Sequence, residues 1–557
     1  MDAAKPAAPV WPFSTATAAV ATLLIVPSLN GAPSWLHGLS LLATGRPLAP
    51  PHAIVLGLAL AFVARGAQLR RRAAWFGLIL LVGMGLLAVA AGDDALWRLP
   101  LLAAALAALW LRRSAFDVRP HPDRVKSAVR TGAGLVLGTV VLSVLIGGVS
   151  PGSVGRDVAT GLGSTGAPID GASWLPGLLG LVGGVGLLVM VVTLLAADPP
   201  PAPGGEDERR RVAGLVAHPG SDTLAPFALR RDKSYVFSPD GGAAIGYRVL
   251  FGIAAAGGDP VGDPASHEAA VRAFLDLCRR TGWRPAVLGA SAEMLPAWEG
   301  LHSIGFGDEV VLRPEEFSLS GRSMRNVRQA VKRTHNTGVT TEIVRESDLS
   351  PELRERLLGI ASSSLGGAAE RGFSMNLDEL LTGFHPGTVV AVAYDGDGAP
   401  IAFQRYAVAG GALSLDAMRR SPEGPNGVNE RLIVEVAEYA AEHGHRLVSL
   451  NFAAFRELLE AEDRNVAERV GYRTLHLLDP LIAVESLYLF NKKFRPGYQP
   501  RSVVFRSWSD ILLLAAALLT LEFGRTRPGR AHAAAPAGAR EDALPEAAHP
   551  AGHLERP

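Results

Sequence analysis

From Trp11 to about Ala197 the chain is a succession of apolar runs broken by short polar or Arg-rich stretches, and this patterning limits what the whole can fold into. Six runs, near 12–30, 48–65, 73–91, 95–111, 131–149 and 174–197, come close to the roughly 20 residues that cross a bilayer core. The first expectation is therefore a polytopic α-helical membrane domain of about six transmembrane helices over 1–198. Arg65, Arg70, Arg71 and Arg72 follow the second run, and Arg112, Arg113, Arg119, Arg124, Lys126 and Arg130 follow the fourth. The alternate breaks hold few cations, so the positive-inside rule puts both termini and the region after Ala197 in the cytoplasm. Ionisable residues sit at run ends rather than within the runs, which favours an anchor and lipid-facing platform over an ion-coupled carrier.

Charge and cysteine content narrow the function classes. Lys and Arg total 54 against 53 Asp and Glu, so any nucleic-acid site must be local rather than chain-wide. The single cysteine, Cys278, excludes an internal disulfide framework and a cysteine-clustered zinc site, and reads as a small buried residue. No His/Asp/Glu grouping has metal-binding spacing, and no G-x-x-x-x-G-K-[ST] phosphate loop occurs.

A Pro/Gly-rich, then charged, stretch at 199–211 marks a linker. Beyond it the pattern alternates between strand and helix, long enough for two α/β units at 212–338 and 339–508. Strands are expected at 243–249, 250–256, 286–289, 388–394, 399–408, 412–417 and 446–451, and helices at 266–281, 322–336, 350–362, 428–443 and 453–470. Asp395-Gly396-Asp397-Gly398 marks a hairpin turn. A Gly/Pro-rich loop, 419–427, separates a strand from a long helix, where glycine and free N–H groups favour an anion. Residues 509–557 read as a short apolar segment, 511–523, and a disordered tail.

Several stretches then combine: Phe227-Ala-Leu-Arg-Arg-Asp-Lys-Ser-Tyr, Gly258-Asp-Pro-Val-Gly-Asp263, Gly307-Asp-Glu309, Arg325-Asn-Val-Arg-Gln-Ala-Val331, Leu415-Asp-Ala-Met-Arg-Arg420, Asn426-Gly-Val428 and Phe490-Asn-Lys-Lys-Phe-Arg-Pro496. In that order over about 215–507 they resemble the catalytic region of phosphatidylglycerol lysyltransferases, the aminoacyl-phosphatidylglycerol synthases of the multiple peptide resistance factor family. The resemblance implies two tandem GNAT-like acyltransferase domains, an aminoacyl-tRNA donor, phosphatidylglycerol or another membrane lipid as acceptor, and no further cofactor. Lysine is the favoured aminoacyl group, and the product lowers the negative charge of the membrane. The membrane half is shorter than in the large family members, and no lysyl-tRNA synthetase domain is recognisable, so flipping and amino-acid identity stay open, as does a homo-oligomer.

Asp416 and Arg419 are the first catalytic candidates: Asp416 to take the hydroxyl proton or meet the amino acid's ammonium, Arg419 to clamp a phosphate. An Asp–Arg pair that merely fixes the loop is the rival. Lys493 is the candidate to stabilise the oxyanion or hold the lipid phosphate, against a solvated basic face with Lys492, Arg495 and Arg501. Asn426, Gly427 and Arg501 are expected to bind substrate, and Glu309 to read an amine or cap a turn. Arg325, Arg328 and Lys332 lie on one helix face suited to tRNA phosphates or anionic headgroups. Two other readings remain: an acyltransferase with another donor, such as acyl-CoA, or acceptor; and a non-enzymatic lipid transporter or scaffold.

Overall fold

The computed structural model describes residues 10–29, 33–44, 50–90, 96–120, 122–145, 184–186, 188–365, 377–385, 387–454 and 489–523. The N-terminal part forms helices α1 (Trp11–Ile25), α2 (Ser34–Thr44), α3 (Pro50–Gln68), α4 (Arg72–Ala90), α5 (Arg98–Leu111) and α6 (Pro122–Leu145). Among the described residues one stretch, Trp11–Ser28, is long and apolar enough to cross a bilayer. Ala53–Gln68, Arg72–Gly83, Arg98–Leu111 and Gly184–Leu194 are apolar but shorter. The six-span expectation is thus met only in part among the described residues: one stretch has the length, and the other apolar helices fall short of it. Arg124, Lys126 and Arg130 occupy the first turns of α6, so its apolar part begins late. Much of the run 174–197 lies outside the described residues.

The remainder is α/β. Its helices are α7 (Glu206–Val216), α8 (Pro264–Thr281), α9 (Arg325–Asn336), α10 (Pro351–Leu365), α11 (Val428–Glu442) and α12 (Ile511–Phe523). Its strands are β1 (Ser234–Phe237), β2 (Ala243–Leu250), β3 (Ile253–Gly257), β4 (Val261–Gly262), β5 (Arg284–Ser291), β6 (His302–Leu312), β7 (Thr340–Arg345), β8 (Thr388–Tyr394), β9 (Pro400–Ala409), β10 (Ala412–Arg420), β11 (Leu447–Ala454) and β12 (Gly497–Phe505). They make one 12-stranded sheet in the order β1-β2-β3-β5-β12-β6-β11-β10-β9-β8-β7, with β4 paired to β2. The late strand β12 is threaded between β5 and β6, so the two halves of the chain share a continuous ladder. The expected helix at 453–470 begins instead as the end of β11, and its remainder lies outside the described residues.

Two parallel strand pairs organise this sheet. β3 and β5 are joined through α8, and β10 and β11 through α11, the long crossover that parallel neighbours require. β8 is buried along almost its whole length because both its faces are covered. α11 lays Leu432, Ile433, Val436 and Ala440 on Tyr406, Leu413 and Val448. α10 lays Leu357 and Ile360 on Val390, Val392 and Phe403. In the other half α8 buries Val271, Phe274 and Cys278 against Ile245, Val287 and Val504, so the lone cysteine is a core residue. Burial pushes its thiol pKa well up.

One end of the sheet is fastened to the N-terminal helices. Arg65, at the close of α3, pairs with Asp510. Arg71 donates to the carbonyls of Leu195 and, at 3.1 Å, Gly282. The Asp198 N–H donates to the Thr281 carbonyl (3.0 Å), and Trp283 Nε1 to the Asp198 carbonyl (2.9 Å).

Candidate functional site

β10 and β11 are paired only from Ala412/Leu447 to Ser414/Ser449, and then they part. At the parting, Asn451 adopts φ +71 and its side-chain amide donates to the Leu415 carbonyl (3.2 Å). β11 stays with β6, which it pairs on both sides of a bulge between Ser449 and Phe452, with Phe452 opposite Glu309. The direction of the opening follows from the register. Phe505 pairs with His302, and β6 runs antiparallel to β11, so β10 and β11 both point toward the end of the sheet that carries Phe505 and Asp510. That is the end fastened to the N-terminal helices.

Past the split, β10 leads through the loop into α11, whose N-cap is Gly427 at φ +102. A Cβ there would lie 3.0 Å from the Cβ of Ala330, so glycine is needed for α9 to sit against the loop. Arg420 braces the turn, donating to Gly424 O and Asn426 Oδ1 at 3.2 Å each. With no side chain on its cap, α11 leaves its first amides to the loop mouth. The matching helix in the other half is closed: the Asp263 carboxylate accepts from Ala265 N (2.9 Å) and Pro264 occupies the first turn of α8. Only one of the two parallel pairs therefore presents an uncapped helix start.

Basic groups far apart in sequence gather beside that start. Lys493 Nζ lies 2.9 Å from Glu430 Oε1 in the first turn of α11, with 42% of its side chain exposed. Its ammonium also stands 4.9 Å over the Phe490 ring. Arg495 reaches Ser323 Oγ (3.0 Å), just before α9. α9 buries Val327, Ala330 and Thr334 and leaves Arg325, Arg328 and Lys332 exposed. Arg328 is partly spent on the Leu319 and Gly321 carbonyls. Lys493, Asn426, Gly427 and the α9 cations thus form one surface.

Asp416 departs from its expected place. It is the extra residue of a β-bulge between the pairs Leu415/Tyr406 and Ala417/Arg405, and bulges re-aim side chains. Its carboxylate, 2% exposed, accepts from Arg405 Nη1 (2.9 Å) and from Leu377 N. Arg405 is wholly buried, with its Nε 2.6 Å from Glu346 Oε2, and Glu346 also accepts from Thr388 Oγ1 (2.7 Å). The Asp416 partner is therefore Arg405 and not Arg419, the pairing the rival reading had; Arg419 donates to the Met418 carbonyl (2.9 Å). Neither Arg405 nor Glu346 was singled out from sequence. The consecutive polar pair Gln404-Arg405 inside an apolar strand was the available signal.

Glu309 and Arg501 are brought to each other, in a second buried cluster. Arg501 pairs with Glu309 and with Asp222 (2.7 Å), and Asp259 stands 3.8 Å away. Arg501 is thus a counter-ion and not an open substrate contact, because three carboxylates compete for its one guanidinium. Glu309 Oε1 is buried without a partner among the described residues. Burial, with the neighbouring Asp222 charge, pushes the Asp259 pKa up to about 6 from 3.8, against the pull of Arg501. A carboxyl favoured neutral in the fold adds stability that is whole below pH 3.8 and lost as pH rises through about 6. Asp259→Asn is accordingly expected to raise the melting temperature above pH 6, the gain vanishing below pH 4. Thermal melts of the detergent-solubilised chain across that range test this, and a gain independent of pH would refute it.

The family described as phosphatidylglycerol lysyltransferase, C-terminal, matches residues 213–505. The chain is 42% identical over 323 residues to the MprF-like domain protein Rv1619 of Mycobacterium tuberculosis, covering 56% of this chain and 66% of that protein. It is 34% identical over 516 residues to the lysylphosphatidylglycerol biosynthesis bifunctional protein LysX of Mycobacterium avium, covering 86% and 43% respectively. The chain therefore spans from about two fifths to two thirds of the length of such relatives. L-PGS from Bacillus licheniformis shares the fold, with a TM-score of 0.50 at 19% identity over 58% of this chain and 99% of that one.

Proposed function

The chain belongs to the phosphatidylglycerol lysyltransferase C-terminal family, and on that premise we propose that it is a membrane-bound transferase moving an aminoacyl group, lysine first, from aminoacyl-tRNA to phosphatidylglycerol. The observation that carries the reading is the split between β10 and β11, which opens beside an uncapped helix start toward the end of the sheet tied to the apolar helices. A lipid headgroup approaching from a bilayer and a nucleic-acid end approaching along α9 would meet there. The domain division, an N-terminal membrane region followed by two GNAT-like units at 212–338 and 339–508, belongs to this proposal. So does a multi-pass membrane location with the catalytic region in the cytoplasm.

The chemistry is an ester exchange. A glycerol hydroxyl of the lipid attacks the aminoacyl ester carbonyl, the C–O bond to the tRNA's terminal ribose breaks, and the hydroxyl proton passes to the departing ribose oxygen. The first amides of α11 and Arg419 would hold a phosphate. Lys493 would face the oxyanion of the tetrahedral intermediate. Arg325, Arg328 and Lys332 would carry tRNA phosphates, a contact that weakens with salt. Asp416 acts from behind, as the buried carboxylate that holds the bulge and hence Arg419 in place. Glu309, buried with Oε1 unpaired among the described residues, is the candidate for reading the transferred amino acid's ammonium. Transfer of lysine would take the headgroup from about −1 to about +1, which reduces attraction of cationic peptides.

Membranes containing the chain, supplied with isotopically labelled lysine and charged tRNA, should yield a ninhydrin-positive phospholipid that RNase abolishes. A labelled lipid that survives RNase would reject the tRNA donor, and label that appears only with acyl-CoA would favour a different acyltransferase.

A further inference from the structure

α12 carries polar residues only at its outer end, Thr520 and Glu522. Leu514 and Ala517 face inward, packed with Phe505, Ile253 and Leu288, yet Leu512 is 82% exposed and Leu513 and Leu519 are exposed beside it. Of the two polar residues, Thr520 spends its hydroxyl on the Ala516 carbonyl (2.7 Å). A helix on a water-facing surface carries polar residues opposite its buried stripe; this one is apolar all round over its first nine residues, 511–519. Its 13 residues reach about 20 Å, too short for a bilayer core of about 30 Å.

The surroundings extend the apolar surface. Trp508, just before α12, is 58% exposed, and Phe251, held at φ +50 in the β2–β3 turn, is 57% exposed. The register sets both at one edge: Ile253 pairs with Arg284, Ala286 with Phe505, and Phe505 with His302. Ile304, exposed in the opening half of β6, lies there too. Cations rim this edge. Arg65 and Arg284 pair with Asp510, Arg506 lies within electrostatic reach of the same carboxylate, and Arg71 lies close to Arg65, Arg284 and Asp198. Three guanidiniums, those of Arg65, Arg284 and Arg506, thus stand about the one Asp510 carboxylate, while Arg71 is buried and turned to the Leu195 and Gly282 carbonyls, and the pairing with Arg65 sets the start of α12 level with the end of apolar α3.

We propose that α12, with Trp508 and the Phe251 turn, is an interfacial helix seated in the cytoplasmic leaflet of an anionic bilayer. The occupant of its bare face is the phospholipid surface: apolar side chains enter the acyl boundary while the guanidinium rim meets the headgroup phosphates. Continuity with the N-terminal apolar helices and the charge of the rim both select this partner. The consequence is positional, because the β10–β11 opening points to the same edge and is held at headgroup height. The inference rests on the membrane location proposed above, though not on the reaction.

The full chain is reconstituted in vesicles of phosphatidylglycerol and phosphatidylcholine, with Leu512→Cys labelled by an environment-sensitive fluorophore. Native Cys278, 1% exposed and with its thiol pKa raised, stays unlabelled, and the unsubstituted chain provides the blank. Co-flotation with the vesicles tests membrane location by itself; failure there removes the premise and overturns the proposal with it. In floated protein the label should lose more than half its emission to lipids bearing a nitroxide near the headgroup, and be shielded from aqueous iodide. Floated protein whose label is open to iodide and untouched by the lipid nitroxide would overturn the proposal. Equal quenching in phosphatidylcholine alone would overturn the anionic surface as the occupant.

Discussion

Arg405→Met is expected to destabilise the α/β region by about 3–5 kcal/mol, because it strands two buried carboxylates without their shared counter-charge. Glu346 and Asp416 both rely on this guanidinium, which has no exposure of its own. Their other partners, Thr388 Oγ1, Gly383 N and the Leu377 amide, tie the segment 377–385 to β8 and β10. One substitution therefore loosens a strand, a bulge and a crossing segment together. At this size the loss corresponds to a fall in melting temperature on the order of 10 °C, read from thermal melts of the detergent-solubilised chain. Adding Glu346→Gln and Asp416→Asn should recover part of it, since uncharged partners no longer need a cation. Asp416→Ala alone should cost less stability, because Arg405 keeps Glu346. Unchanged stability in Arg405→Met would mean that the three groups are solvated in solution and that the bulge is not held by charge.

Legibility from sequence divided along physical lines. The β8–β9 hairpin and α11 were readable because local signals agree: an apolar run on each side of Asp395-Gly396-Asp397-Gly398, and a regular stripe ending in Ala437 and Ala440. β6 and β12 were missed, and they are the strands that join the halves. His302-Ser-Ile-Gly-Phe-Gly-Asp-Glu mixes glycine and charge, and Gly497-Tyr-Gln-Pro-Arg-Ser carries a proline that argues against a central strand. Pro500 is tolerated because the ladder is irregular at the next residue, between Arg501 and Ser502. The basic residues are visible in the sequence as local clusters, but their convergence was not readable. Lys493 meets Glu430 across 63 residues and Arg495 meets Ser323 across 172, distances no periodicity encodes. Asp416 shows the converse failure: sequence puts it at a strand end, but β10 runs on to Arg420 and a one-residue bulge decides which way Asp416 points.

Lys493→Ala is expected to leave the fold intact and lower lipid aminoacylation by about 10²–10³-fold, the loss typical when one oxyanion donor is removed. Its ammonium is half-exposed, so the pair with Glu430 contributes at most about 1 kcal/mol to stability. Its value lies in where it stands: Glu430 is in the first turn of α11, where the helix amides also point, so one carboxylate holds the cation at the anion-binding mouth. That arrangement separates two roles. If Lys493 acts on the reacting ester, Lys493→Arg keeps the charge but shifts it, and turnover should fall more than the affinity for vesicle-presented lipid. If it only anchors a phosphate, arginine should substitute well and the alanine variant should lose affinity first. Glu430→Gln frees the ammonium without removing it, and on the same energetic scale should change the rate by no more than about fivefold. Steady-state assays of the three variants with labelled lysyl-tRNA would decide between these roles. An alanine variant as active as the native chain would remove Lys493 from the site altogether, leaving Arg419 and the α11 amides to carry the charge.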